Sequence, residues 1–337
     1  MELLERIRGC LLAGAVGDAL GYQVEFLPLN QIYRHFGEHG VRTMAPDISD
    51  DTQMTLFTAE GMLLGLRHHM SMPACVYQSY LDWYRTQIPS AKGGCFAGES
   101  ELLRVAGLHR REAPGNTCLS ALGSGRMGLM EEAINQSKGC GGVMRAAPCG
   151  MLKMPGLPEN EDAWALQGAM AGAITHGHIM GYVPAAMLAD MIHLILMEDG
   201  RSLEDIVLDS LRRMQRLFPS DKTEQFAGLM HRAIQLAPAD LPDTACIRQL
   251  GEGWVGDEAL AIAVYCALRY QDDLGEGLCA AVTHDGDSDS TGAIAGNILG
   301  AWLGAEAIPA DWLNTLALRE PVEDMARRLY AQAIHAG

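Results

Sequence analysis

Residues Thr283 to Gly300 read THDGDSDSTGAIAGNILG, and their reading decides the fold. Three carboxylates, Asp285, Asp287 and Asp289, stand two residues apart immediately before a run of small and aliphatic residues with the composition of a buried helix. Held close together, three ionised carboxyls raise one another's pKa, and a divalent cation is the usual remedy. An acidic N-cap explains one of them: Asp289 or Ser290 would accept hydrogen bonds from the free amides of the helix. It does not explain three. A second cluster, Ile48-Ser49-Asp50-Asp51-Thr52, repeats the pattern at the front of another helical stretch. Two oxygen-rich helix starts are what a shared magnesium site requires, because that ion prefers carboxylate, hydroxyl and water oxygens in octahedral array. The EF-hand reading fails on spacing, since Ser290 stands where that loop needs glycine and Gly296 where it needs glutamate.

Composition narrows the classes. The chain has 337 residues, 48% of them hydrophobic, which is ample for a substantial core. Its 25 Lys and Arg against 42 Asp and Glu give a formal charge of −17, which opposes non-specific nucleic-acid binding and attraction to an anionic membrane. Nine cysteines without a C-x-x-C pair favour reduced thiols over a disulfide framework or zinc ribbon, and hence a cytoplasmic protein. The apolar N-terminus carries Glu2, Glu5, Arg6 and Arg8 and reads as an amphipathic helix, not a signal peptide. No stretch has the uninterrupted apolar length of a membrane span.

Outward from the two acidic clusters, helical periodicity dominates. Leu3 to about Gly17–Gly21 forms the first helix, followed by a turn projecting Asp18 and Glu25; residues 26 to 47 read as loop. Helices follow over 52–69, 72–86, from Asp162 to Thr175, and over 181–197, and then in close succession over 203–218, 223–236, 243–250, 257–270, 274–283, 290–305, 310–318 and 322–335. Gly123-Ser-Gly-Arg-Met-Gly128 matches a dinucleotide fingerprint but lacks the preceding strand and following long helix, so it carries no weight. Ser137-Lys-Gly139-Cys140-Gly141-Gly142 precedes an expected helix, and its bared amides suit a phosphate or diphosphate; tight turns or helix packing would use the same glycines. Thr175-His176-Gly177-His178 ends a helix, where histidines serve as caps as readily as metal ligands. With no period-two segment, the expectation is an all-α protein forming one compact domain over 1–337.

Five ordered motifs then carry a resemblance: Gly17-Asp-Ala-Leu-Gly-Tyr-Gln-Val-Glu25, Ser49-Asp-Asp-Thr52, the Ser137–Arg145 loop, Thr175-His-Gly-His178, and Gly286-Asp-Ser-Asp-Ser290 with the Thr-Gly-Ala-Ile-Ala-Gly that follows. Together they resemble the ADP-ribosylglycohydrolases, over nearly the whole chain. The resemblance implies an all-α bundle with a central cleft holding two magnesium ions, or manganese. It implies a metal shell from Ser49, Asp50 and Asp51 on one side and Asp287, Asp289 and Ser290 on the other. Glu25, Asp50 and Asp51 become candidates for the catalytic base. Ser137, Gly139, Cys140, Gly141, Gly142 and His176 become the substrate-binding set around the diphosphate. Asp18 is expected to fix its turn, and Asp285 to lie outside the ligand set.

The implied activity is hydrolysis of ADP-ribose from modified protein side chains, with the arginine N-glycosidic bond favoured by the GDALGxxVEF start. Serine linkages and small ADP-ribose conjugates are the alternatives. A different class also fits: an immunity protein that occludes an ADP-ribosylating toxin. The chain departs from the family pattern in having serine for threonine at 49 and 290, and cysteine for asparagine at 140, which would remove a polar contact.

Overall fold

The computed structural model describes residues 1–197 and 200–336, and among them the expected all-α architecture is found. Its helices are α1 (Leu3–Tyr22), α2 (Leu29–Phe36), α3 (Asp50–Arg67), α4 (Met72–Gln87), α5 (Asn116–Gly123), α6 (Asp162–Ala173), α7 (Ile179–Met197) and α8 (Leu203–Leu217). These are followed by α9 (Asp221–Leu236), α10 (Asp243–Ile247), α11 (Gly256–Arg269), α12 (Leu274–Val282), α13 (Ser288–Leu303), α14 (Ala310–Thr315) and α15 (Arg319–Ala336). No strand occurs among the described residues; one isolated bridge joins Gly139 to Val255.

The central pair is α1 against α13, the most extensive helix contact in the molecule. Small residues let the two backbones nearly touch. A Cβ added to Gly9 would lie 2.1 Å from the Gly300 carbonyl oxygen, one on Gly17 2.0 Å from that of Gly292, and one on Gly21 2.2 Å from that of Ser288. Rising positions on α1 meet falling positions on α13, so the helices run antiparallel, and the end of α1 lies against the start of α13. Asn297 secures the middle by donating to the Cys10 carbonyl at 2.9 Å.

Helix α7 has the length and apolarity of a membrane span, yet 78% of its apolar window is buried within the protein. It is a core helix. Its buried Asp190 pairs with Arg213 at 3.1 Å, and Pro184 is accommodated inside it.

The structure corrects four local expectations. Helix α1 runs on to Tyr22, so Asp18 lies in a helix and not in a turn. The segment read as loop contains α2, which buries only Leu29 and Ile32 and takes its first-turn cap from far along the chain: Leu29 N–H donates to Asp285 Oδ1 at 2.7 Å. A short helix, α5, lies in the polar stretch before Gly123. No long helix follows the Ser137 loop; two 3-10 turns, Cys140–Gly142 and Ala147–Gly150, replace it. Bonds from Cys140 N–H to the Trp254 carbonyl and from Gly256 N–H to the Lys138 carbonyl tie this segment to the start of α11 and draw it away from helical geometry.

Candidate metal centre and phosphate loop

Three chain segments meet where α1 ends. Asp18, fully buried in the last turns of α1, accepts from Ser49 N–H at 2.8 Å through Oδ1, and from Thr52 N–H at 3.0 Å and the Thr52 hydroxyl through Oδ2. One carboxylate thus satisfies orphan amides at the start of α3 and fixes that start against α1. Ser49 completes the cap by accepting from Asp51 N–H. The start of α13 reaches the same place through the Gly21–Ser288 contact, and Asp287 caps it by accepting from Ser290 N–H. The cap is Asp287, two residues before Asp289 and three before Ser290.

Asp50, Asp51, Asp287 and Asp289 are all buried, and Glu25 is half-buried in the turn that follows α1. Ligand atoms of Glu25, Asp287 and Asp289 lie within 4.8 Å of one another. Helix N-termini favour carboxylates by up to about 2 kcal/mol, but burial and mutual repulsion are larger here. Burial, then the Asp289, Asp50 and Asp18 charges, push the Glu25 carboxyl up to about 9. Burial is also the main cause for Asp50, raised to about 8 against a lowering bond from Gly115 N–H, and for Asp18, raised to about 7. Asp51 and Asp287 are held well above the usual carboxylate range by burial first and the neighbouring acids, led by Asp289, second. Both acidic helix starts thus pack against the end of α1, that of α3 through Asp18 and that of α13 through Gly21, while Asp50 and Asp51 lie outside the group formed by Glu25, Asp287 and Asp289.

Several oxygens here have no protein partner: Glu25 Oε2, Asp51 Oδ2 and Asp289 Oδ1 are buried and accept no hydrogen bond. Buried carboxylate oxygens left unpaired are costly. Hard oxygens converging without donors are the donor set a divalent cation such as magnesium takes, and Glu25, Asp51, Asp287 and Asp289 could hold one. Of the hydroxyls in the expected shell, Ser49 is engaged as a cap, and Ser290 is buried with its Oγ 3.9 Å from Met144 Sδ.

The Ser137 loop borders this cluster. Cys140 donates its thiol to Asp287 Oδ2 at 2.7 Å, so cysteine at this position keeps a polar contact where its loss was expected. The amide cradle is smaller than the glycine count suggested. Gly139 N–H is taken by Ser137 Oγ at 3.4 Å and Cys140 N–H by the Trp254 carbonyl at 3.2 Å. Ser137 itself is tied to Thr117 at 3.0 Å. Gly142 serves packing, since an added Cβ would lie 2.1 Å from the Gly181 carbonyl oxygen on α7.

His176 lies against the loop: a Cβ added to Gly139 would be 3.4 Å from its Nε2, and one on Gly141 would be 2.9 Å from its Cε1. Its tautomer follows from a relay. Arg145, fully buried, can only donate, and does so to Thr175 Oγ1 at 2.6 Å. Thr175 Oγ1 lies 2.8 Å from His176 Nδ1, and with the hydroxyl assigned as donor the ring hydrogen is on Nε2, facing the glycine loop. Burial and the Arg145 charge pull the His176 pKa down to about 3, so the ring is neutral. His178, by contrast, accepts from Met180 N–H at 3.0 Å and caps α7.

Arg145, which closes the Ser137–Arg145 motif and had no role assigned from it, also stacks its guanidinium on Tyr80 at 4.4 Å and donates to the Ala171 carbonyl. The available signal was an arginine inside the apolar run Val143-Met-Arg-Ala-Ala-Pro148. Asp285 lies outside the cluster, bonded to Leu29 N–H and to Arg248 at 3.3 Å.

Residues 1–336 match the family model described as ADP-ribosylglycohydrolase. The "ADP-ribosylarginine hydrolase Tri1" of Pseudomonas putida (strain GB-1) is 25% identical, over 98% of this chain and 80% of that protein. The "ADP-ribosyl-[dinitrogen reductase] glycohydrolase" of Rhodospirillum rubrum is also 25% identical, over 96% of this chain and 94% of that protein. A solved structure titled "ADP-ribosylglycohydrolase-related protein complex" superposes with a TM-score of 0.62 at 27% identity, covering 98% of this chain and 99% of that one. The chain belongs to the ADP-ribosylglycohydrolase family, whose members are glycosidic-bond hydrolases.

Proposed function

We propose that the protein is a divalent-metal-dependent hydrolase that removes ADP-ribose from modified protein side chains, with the arginine N-glycosidic bond as its substrate. The carrying observation is the convergence of Glu25, Asp287 and Asp289, whose ligand atoms lie within 4.8 Å of one another, with Glu25 Oε2 and Asp289 Oδ1 buried and unpartnered. The likeness to proteins named for arginine linkages and for dinitrogen reductase supports the acceptor class.

Glu25, Asp51, Asp287 and Asp289 would hold the metal, together with Asp50, Ser49 and Ser290; two magnesium ions is the expected load, with manganese able to substitute. Bound there, the ions supply Lewis-acid charge that grips the vicinal hydroxyls of a ribose and acidifies water. Around them the chain does the rest. The Nε2–H of neutral His176 donates toward the glycine loop, where, with the Gly141 amide, it suits a diphosphate oxygen. Hydrolysis at the anomeric carbon passes through an oxocarbenium-like state and needs a base for the attacking water. Glu25, Asp50 and Asp51 are the carboxylates placed to take that proton. Glu25 is the least enclosed of the three, which makes it the first choice.

Arginine- and serine-linked ADP-ribosyl peptides, each incubated with magnesium and with a chelator, test this reading. Product from the arginine peptide in magnesium alone supports it, while turnover unaffected by chelation removes the metal. Release from the serine peptide alone transfers the reading to that linkage. The toxin-occluding alternative separates through Asp287→Ala: protection that survives loss of turnover is occlusion, and protection lost with it is hydrolysis.

A further inference from the structure

Phe26 follows Glu25 directly and adopts φ of +68°, a left-handed conformation that bulky residues seldom hold without a functional or structural constraint. Its ring stacks on Trp254, with centroids 5.4 Å apart and planes 18° from parallel, yet Phe26 is 69% exposed and Trp254 37%. Phe26 is anchored by Glu25. Trp254 accepts from Cys140 N–H through its carbonyl, and a Cβ on the preceding Gly253 would lie 3.4 Å from Asp287 Cβ. The stacked pair therefore belongs to the two segments that carry Glu25 and that pack on Asp287. None of the arginine–ring contacts among the described residues uses either ring. Trp254 also borders a cavity of about 840 Å³ whose wall includes Glu252, with Glu258 accepting from backbone amides and Asp285 paired with Arg248 on the same wall.

We propose that Phe26 and Trp254 form an acceptor platform that binds the guanidinium of the arginine from which ADP-ribose is cleaved. An exposed aromatic face attracts a cation through the ring quadrupole, Trp and Phe included. Glu252 on the adjoining cavity wall adds negative charge, and a guanidinium can stack flat where an alcohol or an amide gains nothing from the quadrupole. The platform thereby selects the acceptor, while the carboxylate cluster handles the ribose. The inference rests on the arginine reading above.

The test uses the full chain loaded with magnesium, and an arginine-containing peptide and its citrulline counterpart as competing inhibitors of hydrolysis. Citrulline has the shape of arginine without the charge. Wild-type protein should prefer the arginine peptide, and Phe26→Leu and Trp254→Leu should each shrink that preference about fivefold to thirtyfold. Trp254→Phe should retain most of it, which separates loss of the aromatic face from general damage. A preference unchanged in both leucine variants, or no preference in the wild type, overturns the platform even if arginine-linked substrate is hydrolysed. Failure of the wild type to hydrolyse that substrate is a separate result, which removes the arginine reading and the platform with it.

Discussion

In metal-free protein at neutral pH, Asp50→Asn should stabilise the fold, although it alters a buried, hydrogen-bonded residue. Burial and neighbouring acids raise the Asp50 carboxyl to about 8 from its ordinary value of 3.8. For an acid raised in this way the native state binds more protons than the unfolded chain between those two values. Stability therefore falls as pH climbs from about 4 to about 8, and is level outside that window. Linkage places the penalty at about 1–2 kcal/mol at pH 5 and about 4 kcal/mol at pH 7. The penalty is counted once for the interacting set, because a proton on one carboxyl relieves its neighbours. Asparagine cannot ionise and can still accept from Gly115 N–H, but it loses the attraction of Arg145, so a net gain of about 2–4 kcal/mol at pH 7 is expected. An unfolding entropy near 2.1 cal/mol/K per residue converts this to a Tm rise of about 3–6 °C, shrinking to about 2 °C at pH 5. Calorimetry in chelator at both pH values measures it, and a repeat in saturating magnesium should reverse the sign. An Asp50→Asn variant that melts lower than wild type in chelator at pH 7, or a gain that does not grow with pH, would refute the reasoning.

Three further perturbations reach other parts of the account. Asp289→Ala should keep its helical circular dichroism but lose the magnesium-induced Tm shift and about a hundredfold or more of kcat, the several kcal/mol a Lewis acid supplies. Gly292→Ala would place a Cβ 2.3 Å from the Gly17 carbonyl oxygen, so α1 and α13 must separate; denaturant melts should show a loss of about 1–3 kcal/mol. Thr175→Val breaks the relay from Arg145 to His176. Nitrogen NMR should then report a mixture of His176 tautomers, KM should rise more than kcat falls, and stability should drop by about 1–3 kcal/mol for the donor left unpaired.

Much of this was legible in the chain because it is local. Helix starts at Ser202 and the acids before α3 and α13 announce themselves through cap chemistry, and the small residues of α1 and α13 announce close packing. What escaped depends on partners distant in sequence. Helix α2 buries two side chains and borrows its cap from Asp285, so its own eight residues hold little signal. Asp18 reads as a turn residue until α3 arrives to be capped by it. The Ser137 loop looks like a helix entrance until bonds to Trp254 and Gly256 stretch it, and two of its amides are spent on local and long-range contacts. Arg145 could be noticed in its apolar run, but its service to His176 passes through Thr175, a residue it meets only in three dimensions. The motif puts Glu25 near the cluster, and its place within 4.8 Å of Asp287 and Asp289 brings it further in than the motif alone implies.

Crystals grown without metal and soaked in manganese give the most direct test of the paired helix starts, by anomalous scattering. The account predicts two peaks between the starts of α3 and α13, ligated by carboxylates from Glu25, Asp50, Asp51, Asp287 and Asp289. A map with no anomalous density at these carboxylates, while manganese restores turnover in solution, would contradict it.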